Sequence, residues 1–565
     1  GFAAEVGSIR LLFLMGQAQC CVNRGGPGDF FGFASRALLR PPPVLKAPDR
    51  GLTVATWNIA AINNNPFEYW ITHDDELYTN LMDGVESFIE NPADQDVPIH
   101  MVFSDEKFGE LVALMKVESW GGVDVVQRLW ESDYRDRKIV AGFMKDKVIG
   151  AKRLASMPDR MTNTINVAGG GPPACRPTVV NNYVGPLESV DAWWSEWRDF
   201  MFSQELQMEA KGKVKAQRPC ELLGKISRSK YPALSVEEEE VSVPLQCLCQ
   251  AIFDCILVHM MAVLSPDGRW QQIKASIVDA IFSRKHANTI RVLKTACQEI
   301  EVICLQESAS NFKAVLEKDM GQNYHVIVPQ DVDPKRDQNS MILLSKERFA
   351  SGAYQEVTAK VLEELGSGAP VERGDLLAVV AEDNVGQAFL VASFHGDTNG
   401  LATKPVVSAV AKVLAKQSAG CNLIFGMDAN TYIKPKEGMQ DVGDFLEHCA
   451  SLGLRTCFSD EDDMKDCFTC CNARTFLQPQ LNKAVRSVEK MIKGDLNPKD
   501  HIVFQRQSYD VVACYKDNTG ERKYLENTCF PTLQFPSDHG VVSAVLKPAS
   551  DGVCTSDGAD GVCKA

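Results

Sequence analysis

The chain is short of positive charge. Its 59 lysines and arginines are outnumbered by 74 aspartates and glutamates, giving a formal net charge of −15. General nucleic-acid binding needs a basic surface to neutralise phosphates, so this composition excludes that class and leaves room only for a local basic cleft. No stretch reaches the roughly 18 uncharged apolar residues of a membrane-spanning helix. The nearest, residues 251–264, contains Asp254 and His259 and reads as a buried helix with His259 as a satisfied core histidine. The triple glycine 169–171 runs into Pro172 and Pro173 and lacks the Gly-Lys-Ser/Thr ending of a phosphate loop, so it reads as a linker. The 19 cysteines lack the even count and regular spacing of a disulfide framework. Cys297, Cys304 and Cys514 sit inside apolar runs, as reduced core thiols do. Cys467, Cys470 and Cys471, with Cys457 upstream, faintly resemble a zinc cluster. They lack a clean second pair and read as structural thiols.

What is present is enough chain for more than one ordinary core. At 565 residues, two domains or one domain with a large insertion are expected. Residues 1–50 hold the breakers Gly25, Gly26, Pro27 and Pro41-Pro42-Pro43 and read as a disordered tail. Residues 548–565, with Asp-Gly-Val-Cys ending at Cys554 and again at Cys563, read as a second one. Residues 63–283 show helical spacing at Phe108, Leu111, Val112 and Met115, and at Ile273, Ile277 and Ile281. They hold seven of the eight tryptophans, which predicts a mostly helical lobe with a core of its own. The run Glu237 to Glu240 reads as a solvated turn or loop. From 284 onward a helix over 286–298 and another opening at Pro405 alternate with strands over 301–305, 340–344, 388–394, 422–425, 501–504 and 541–546. With a first strand over 52–57, the class is α/β.

Five short stretches carry chemistry. They are Trp57-Asn58, Leu305-Gln306-Glu307, Asp428-Ala429-Asn430, Lys499-Asp500, and Ser537-Asp538-His539, each beside an apolar run. Together they supply hard oxygen donors and an imidazole next to carboxylates. That is equipment for cutting a phosphate ester with Mg²⁺. In this order they resemble the endonuclease/exonuclease/phosphatase superfamily, over residues 51–62 and 284–547. The resemblance implies a four-layer α/β/β/α sandwich with the site at one rim of the two sheets. Asn58 and Glu307 stand 249 positions apart, so residues 63–283 are expected to be a large, mostly helical insertion after the first strand.

The resemblance also implies roles. Asn58, Glu307 and Asp538 would form the metal side. Asp428 and Asn430 would orient the attacking water and the phosphate. Asp500 would orient His539, which acts as base or phosphate stabiliser, and His395 would face the scissile phosphate. Arg474, between turn and motif, is a candidate substrate-binding residue through bidentate contact with a phosphate. His501 reads as structural. Two departures stand out. Ala60 occupies a position where many nuclease members carry an Asp, so one carboxylate fewer is expected. Met427 precedes Asp428 where the family usually has Gly.

The reading is a metal-dependent phosphoesterase that hydrolyses a phosphodiester or phosphomonoester by in-line attack of water, using Mg²⁺ or Mn²⁺. The substrate would be a nucleic acid, an inositol phosphate or a phospholipid headgroup. The rival reading is an inactive scaffold or binding protein on the same fold. The residues before Met15 read as an upstream stretch or a fragment boundary. If translation starts at Met15, Gly16 fits the myristoylation pattern except for Cys20 in the Ser/Thr position, and Cys20 and Cys21 offer sites for palmitate. The expected location is then cytoplasmic, with a membrane surface as partner through N-terminal acylation.

Overall fold

Alternation of apolar residues builds two six-stranded sheets. The first runs, in spatial order, Tyr509–Asp517, Val541–Pro548, Leu52–Asn58, Val302–Ser308, Asn339–Ser345 and Tyr324–Ile327. The second runs Leu454–Thr456, Asp500–Gln505, Asn422–Asp428, Ala388–His395, Leu376–Glu382 and Tyr354–Glu356. These come from a computed structural model that describes residues 47, 51–169, 171–210, 213–332, 337–458, 467–478, 495–526 and 528–549. The acylation motif at Gly16, Cys20 and Cys21, and most of both expected tails, lie outside the described residues.

A strand turns successive side chains to opposite faces. Leu52, Val54, Val302, Cys304, Ile342 and Leu344 of the first sheet pack in one cluster with Leu377, Val379, Phe389, Val391, Ile424 and Ile502 of the second. The intervening Leu390, Phe394, Leu423, Phe425, Met427 and Val503 pack on the helices Thr403–Ala415 and Val442–Ser451. Met427 is therefore fully buried on the helix side, and the neighbouring Gly426 is the residue that faces the first sheet. A Cβ on Gly426 would lie 2.5 Å from Cys304 Cβ and 2.9 Å from Thr56 Oγ1, so only glycine lets the sheets approach here.

Residues 63–283 are mostly helical, as expected. Side-chain caps start several helices: Asp75 for Glu76–Glu90, Ser104 for Asp105–Val117 and Ser189 for Val190–Phe202. Three expectations need correction. The tryptophans do not form a separate core. Trp130, Trp193, Trp197 and Trp270 belong to one contiguous cluster with Trp57, Ile303, Leu305, Met341 and Val541, the outer face of the first sheet. The four glutamates are not a turn, because Ser235 and Glu238 form a reciprocal capping box that closes a short helix, Val236–Glu240. Residues 251–264 extend back into one helix, Ser242–Leu264, long and apolar enough by length and composition to cross a membrane. Its most apolar window is 78% buried inside the protein, and His259 lies edge-on to Phe88 at 6.5 Å.

Candidate functional site

The face between the sheets is apolar along most of its length and turns polar where the strands end. Val54 is followed on that face by Thr56 and Asn58, Val391 by Ser393 and His395, and Ile424 by Gly426 and Asp428. Below the rim, Gln306 Nε2 donates to Thr56 Oγ1 at 3.1 Å and to Ser393 Oγ at 3.0 Å, a buried polar tie between the sheets. Strand register then lines up the site. His395 lies beside Asp428 in parallel register, and Asp428 beside Asp500 in antiparallel register.

Glu307 should face away, because Gln306 already faces inward. A register irregularity between Leu305 and Ser308, with Glu307 at φ +51°, turns it back to the rim. Ala60 at +56° and Asn430 at +48° adopt the same left-handed region. Three such residues at one rim are an accumulation of backbone strain of the kind found at functional sites.

The polar contacts converge on Asp428 and Glu307. Asn58 Nδ2 donates to Glu307 Oε1 at 3.0 Å and to Asp428 Oδ2 at 2.9 Å. Glu307 Oε2 accepts from Ala61 N–H at 2.7 Å, and Asp428 Oδ1 from Asn430 N–H at 2.9 Å. Asn430 Nδ2 donates to Gly396 O at 2.9 Å. His395 Nε2 stands 3.2 Å from Glu307 Oε1 and 3.7 Å from Asp428 Oδ2. Burial works against its charge, yet Glu307 and Asp428 raise His395 to about 9. Burial also opposes the charge of Glu307, but His395, Asn58 and Ala61 N–H hold its carboxyl well below the usual range.

On the other side of Asp428, His539 Nδ1 meets Asp500 Oδ2 at 2.9 Å while its Nε2 lies 3.8 Å from Asp428 Oδ2. Burial disfavours the imidazolium, but Asp500 and Asp428 outweigh it and hold His539 well above its ordinary value. The loop is fixed from behind. Ser537 Oγ accepts from His539 N–H at 3.0 Å and donates to Asn58 O at 2.6 Å, and Trp57 Nε1 donates to His539 O at 2.8 Å. His501 faces away, between Phe445 and Phe458, with Nε2 2.9 Å from Pro498 O; burial pushes it down to about 4.

Not every expected residue keeps its expected part. Asn58 turns its amide nitrogen toward Glu307 and Asp428. Its Oδ1 accepts from Ala60 N–H at 2.9 Å, so its amide nitrogen, a donor, faces the carboxylates and orients them. Glu307, His395 and Asp428 offer ligand atoms within 4.8 Å of one another, whereas Asp538 groups with Cys470 and His539. Arg474 is paired with Glu68 and lies over the Tyr69 ring at 5.1 Å, so its charge is already matched. Several neighbours were not legible in the motifs. Lys285 Nζ donates to Pro536 O at 2.9 Å; burial lowers it to about 8, against the pull of Asp538 and Glu307. Thr469 Oγ1 accepts from Asp500 N–H at 3.0 Å, and Asn472 Nδ2 donates to Asp538 Oδ2 at 2.9 Å.

The oxygen donors suit a hard divalent cation. The two carboxylates of Glu307 and Asp428 converge, and the protonated His395 beside them stands where positive charge is called for.

A family model described as a domain of unknown function (DUF8234) matches residues 96–275, within the helical stretch. No curated protein matches the chain. Among solved structures, the chain is similar to a D. rerio TDP2 complexed with single-strand DNA product, at 15% identity and a TM-score of 0.31, over 48% of this chain and 96% of that one. It is similar to an endonuclease/exonuclease/phosphatase from Bacteroides vulgatus at 13% identity and 0.32, over 47% and 92%. It is also similar to the human nocturnin catalytic domain with bound sulfate at 13% identity and 0.28, over 47% and 87%.

Proposed function

We propose that this chain is a divalent-metal-dependent phosphoesterase of the endonuclease/exonuclease/phosphatase superfamily, with the four-layer α/β/β/α sandwich of that family and residues 63–283 inserted after its first strand. One observation carries the reading. Asn58, Glu307, His395, Asp428, Asn430, Asp500 and His539, spread over most of the sequence, meet at one sheet rim through contacts of 2.9–3.8 Å.

Each residue then has a task that follows from its surroundings. Glu307 and Asp428 would hold the cation, Mg²⁺ or Mn²⁺, while the protonated His395 beside them faces the scissile phosphate. When bound, that cation polarises a phosphoryl oxygen and neutralises charge on the leaving oxygen. Asp428 presents Oδ2 toward both imidazoles and is placed to take a proton from the attacking water. Asn430 fixes Asp428 through its own N–H. Asp500 holds His539 in one orientation, and the His539 imidazolium faces the phosphoryl oxygens as negative charge builds on them. The nucleic-acid, inositol-phosphate and phospholipid-headgroup classes all present the phosphate this site would take.

The test is turnover of bis(p-nitrophenyl) phosphate, followed by a panel of the three substrate classes, with Mg²⁺, with Mn²⁺ and with EDTA. Activity abolished by EDTA and restored by either cation is the expected result. A folded protein without cation-dependent turnover on any of them would make the inactive-scaffold reading the better one.

A further inference from the structure

The site contains a soft donor that hydrolysis with a hard cation does not use. Cys470 Sγ, a carboxylate oxygen of Asp538 and a ring nitrogen of His539 lie within 4.8 Å of one another. Cys470 and His539 face each other across an isolated antiparallel bridge, tightened by Gly540 N–H donating to Thr469 O at 2.6 Å. The two non-histidine donors are also held together. The Asn472 amide donates to Cys470 Sγ at 3.3 Å and to Asp538 Oδ2 at 2.9 Å, the kind of outer contact that fixes metal ligands. Cys470 is fully buried and His539 nearly so, while Asp538 is half-buried and gives the way in.

We propose that Cys470, Asp538 and His539 form an inhibitory site for a soft divalent cation of the Zn²⁺ class, separate from the Glu307–Asp428 site. The donor chemistry sets the choice. Thiolate, carboxylate and imidazole together match Zn²⁺, and the two anionic ligands balance its charge. Mg²⁺ prefers oxygen ligands, so it gains nothing from the sulfur. Three protein ligands leave one coordination position open. Binding would release two protons to solvent, one from the Cys470 thiol and one from Nε2 of the His539 imidazolium.

The site shares His539 with the chemistry, and that makes it inhibitory. Nδ1 is engaged by Asp500 at 2.9 Å, so the ligand atom is Nε2, the nitrogen that faces Asp428. A metal on Nε2 excludes the imidazolium form of His539. Excess Mg²⁺ should not relieve the block, because it fills the other site. The inhibition rests on the hydrolase reading, whereas the metal site does not.

Chelator-treated protein would be titrated with Co²⁺, a spectroscopic probe for Zn²⁺, and the ultraviolet thiolate-to-cobalt charge-transfer absorption recorded. Zn²⁺ affinity would be measured in parallel by competition with a chromophoric chelator. Wild type should show the band and lose it to Zn²⁺. C470S should lack that component, and both C470S and D538N should bind Zn²⁺ at least about tenfold more weakly. Zn²⁺ should also inhibit wild-type turnover at saturating Mg²⁺, and C470S much less. The proposal is overturned if wild type shows no band, or if either variant, with wild-type circular dichroism, keeps wild-type zinc affinity. D538N decides the matter should C470S not fold. A zinc site in a protein without turnover would retain the metal proposal and remove only the hydrolase reading.

Discussion

Both halves of the molecule bury an ionic network, and the two are built differently. In the helical half, Arg176 and Asp254 are fully buried, and the pair is satisfied atom by atom. Arg176 Nε donates to Asp254 at 2.7 Å, Nη1 to Thr162 Oγ1 at 2.9 Å, and Nη2 to Asp159 at 2.7 Å. Asp254 also accepts from Thr178 Oγ1 at 2.6 Å and Trp197 Nε1 at 2.9 Å. At the sheet rim, Glu307, Asp428, Asp500 and Asp538 crowd around two imidazoles held protonated by them. The first network is closed and can only hold helices together. The second carries negative charge that its own groups do not balance, and it is reached from solvent through Asp538 and His395. That surplus gives it affinity for a cation and a use for one.

Breaking the closed network should have the largest effect, and it should fall on stability. R176M leaves Asp254 buried without its charge partner, at a cost of about 3–5 kcal/mol. Chemical denaturation would measure it. The double variant R176M/D254L should recover part of that loss, because no lone charge remains, though Thr178 and Trp197 lose their acceptor. Turnover per folded molecule should not change. A fully stable R176M would mean that the two networks do not differ as described.

Breaking the open network should reverse the pattern. D428N removes a carboxylate that holds the cation and accepts the proton, so turnover should fall by at least about 100-fold. Stability should hold or rise, because one of several crowded carboxylates becomes neutral. Steady-state rates and denaturation of the same preparation check both halves. Near-wild-type turnover in folded D428N would remove Asp428 from the mechanism.

The residue types of the site were legible in the sequence, and their aim was not. Asn58, Asp428 and Asp500 stand on the inward face by simple alternation from Val54, Ile424 and Ile502, so strand ends rich in carboxylates announced the rim. Glu307 defied the same rule. Alternation from Cys304 points Gln306 inward, and only a register irregularity with positive φ brings Glu307 round. The orientation of the Asn58 amide is set by Ala60 N–H, a backbone group no motif records. Helical periodicity in residues 63–283 showed which side chains are buried, but not against what. The shared cluster of Trp57, Ile303 and Trp270 joins residues far apart in the chain. Cys470 meets His539 from 69 positions away in sequence, so the local cysteine spacing, which read as structural thiols, carried no sign of that partner.

The smallest effect expected concerns pH and sharpens the claim that positive charge is held at the rim. His395 is raised from an ordinary 6.5 to about 9 in the folded protein. Its protonated form therefore contributes stability that is fully present below about pH 6.5 and lost as pH rises toward 9, because in that window the native state binds more protons than the unfolded one. Glu307 has the opposite sign, with a depressed carboxyl whose contribution is lost only in acid, outside this window. His539 is also raised, so part of any alkaline decline belongs to it. Melting temperature in EDTA should thus fall between pH 6.5 and 9 in wild type and fall less in H395Q. With saturating Mg²⁺ the wild-type curve should flatten as well, since a cation held by Glu307 and Asp428 takes over the neutralisation that the proton on His395 supplies. Parallel curves for wild type and H395Q in EDTA would show that His395 is not charged, and the open network would then have to be balanced by some other group.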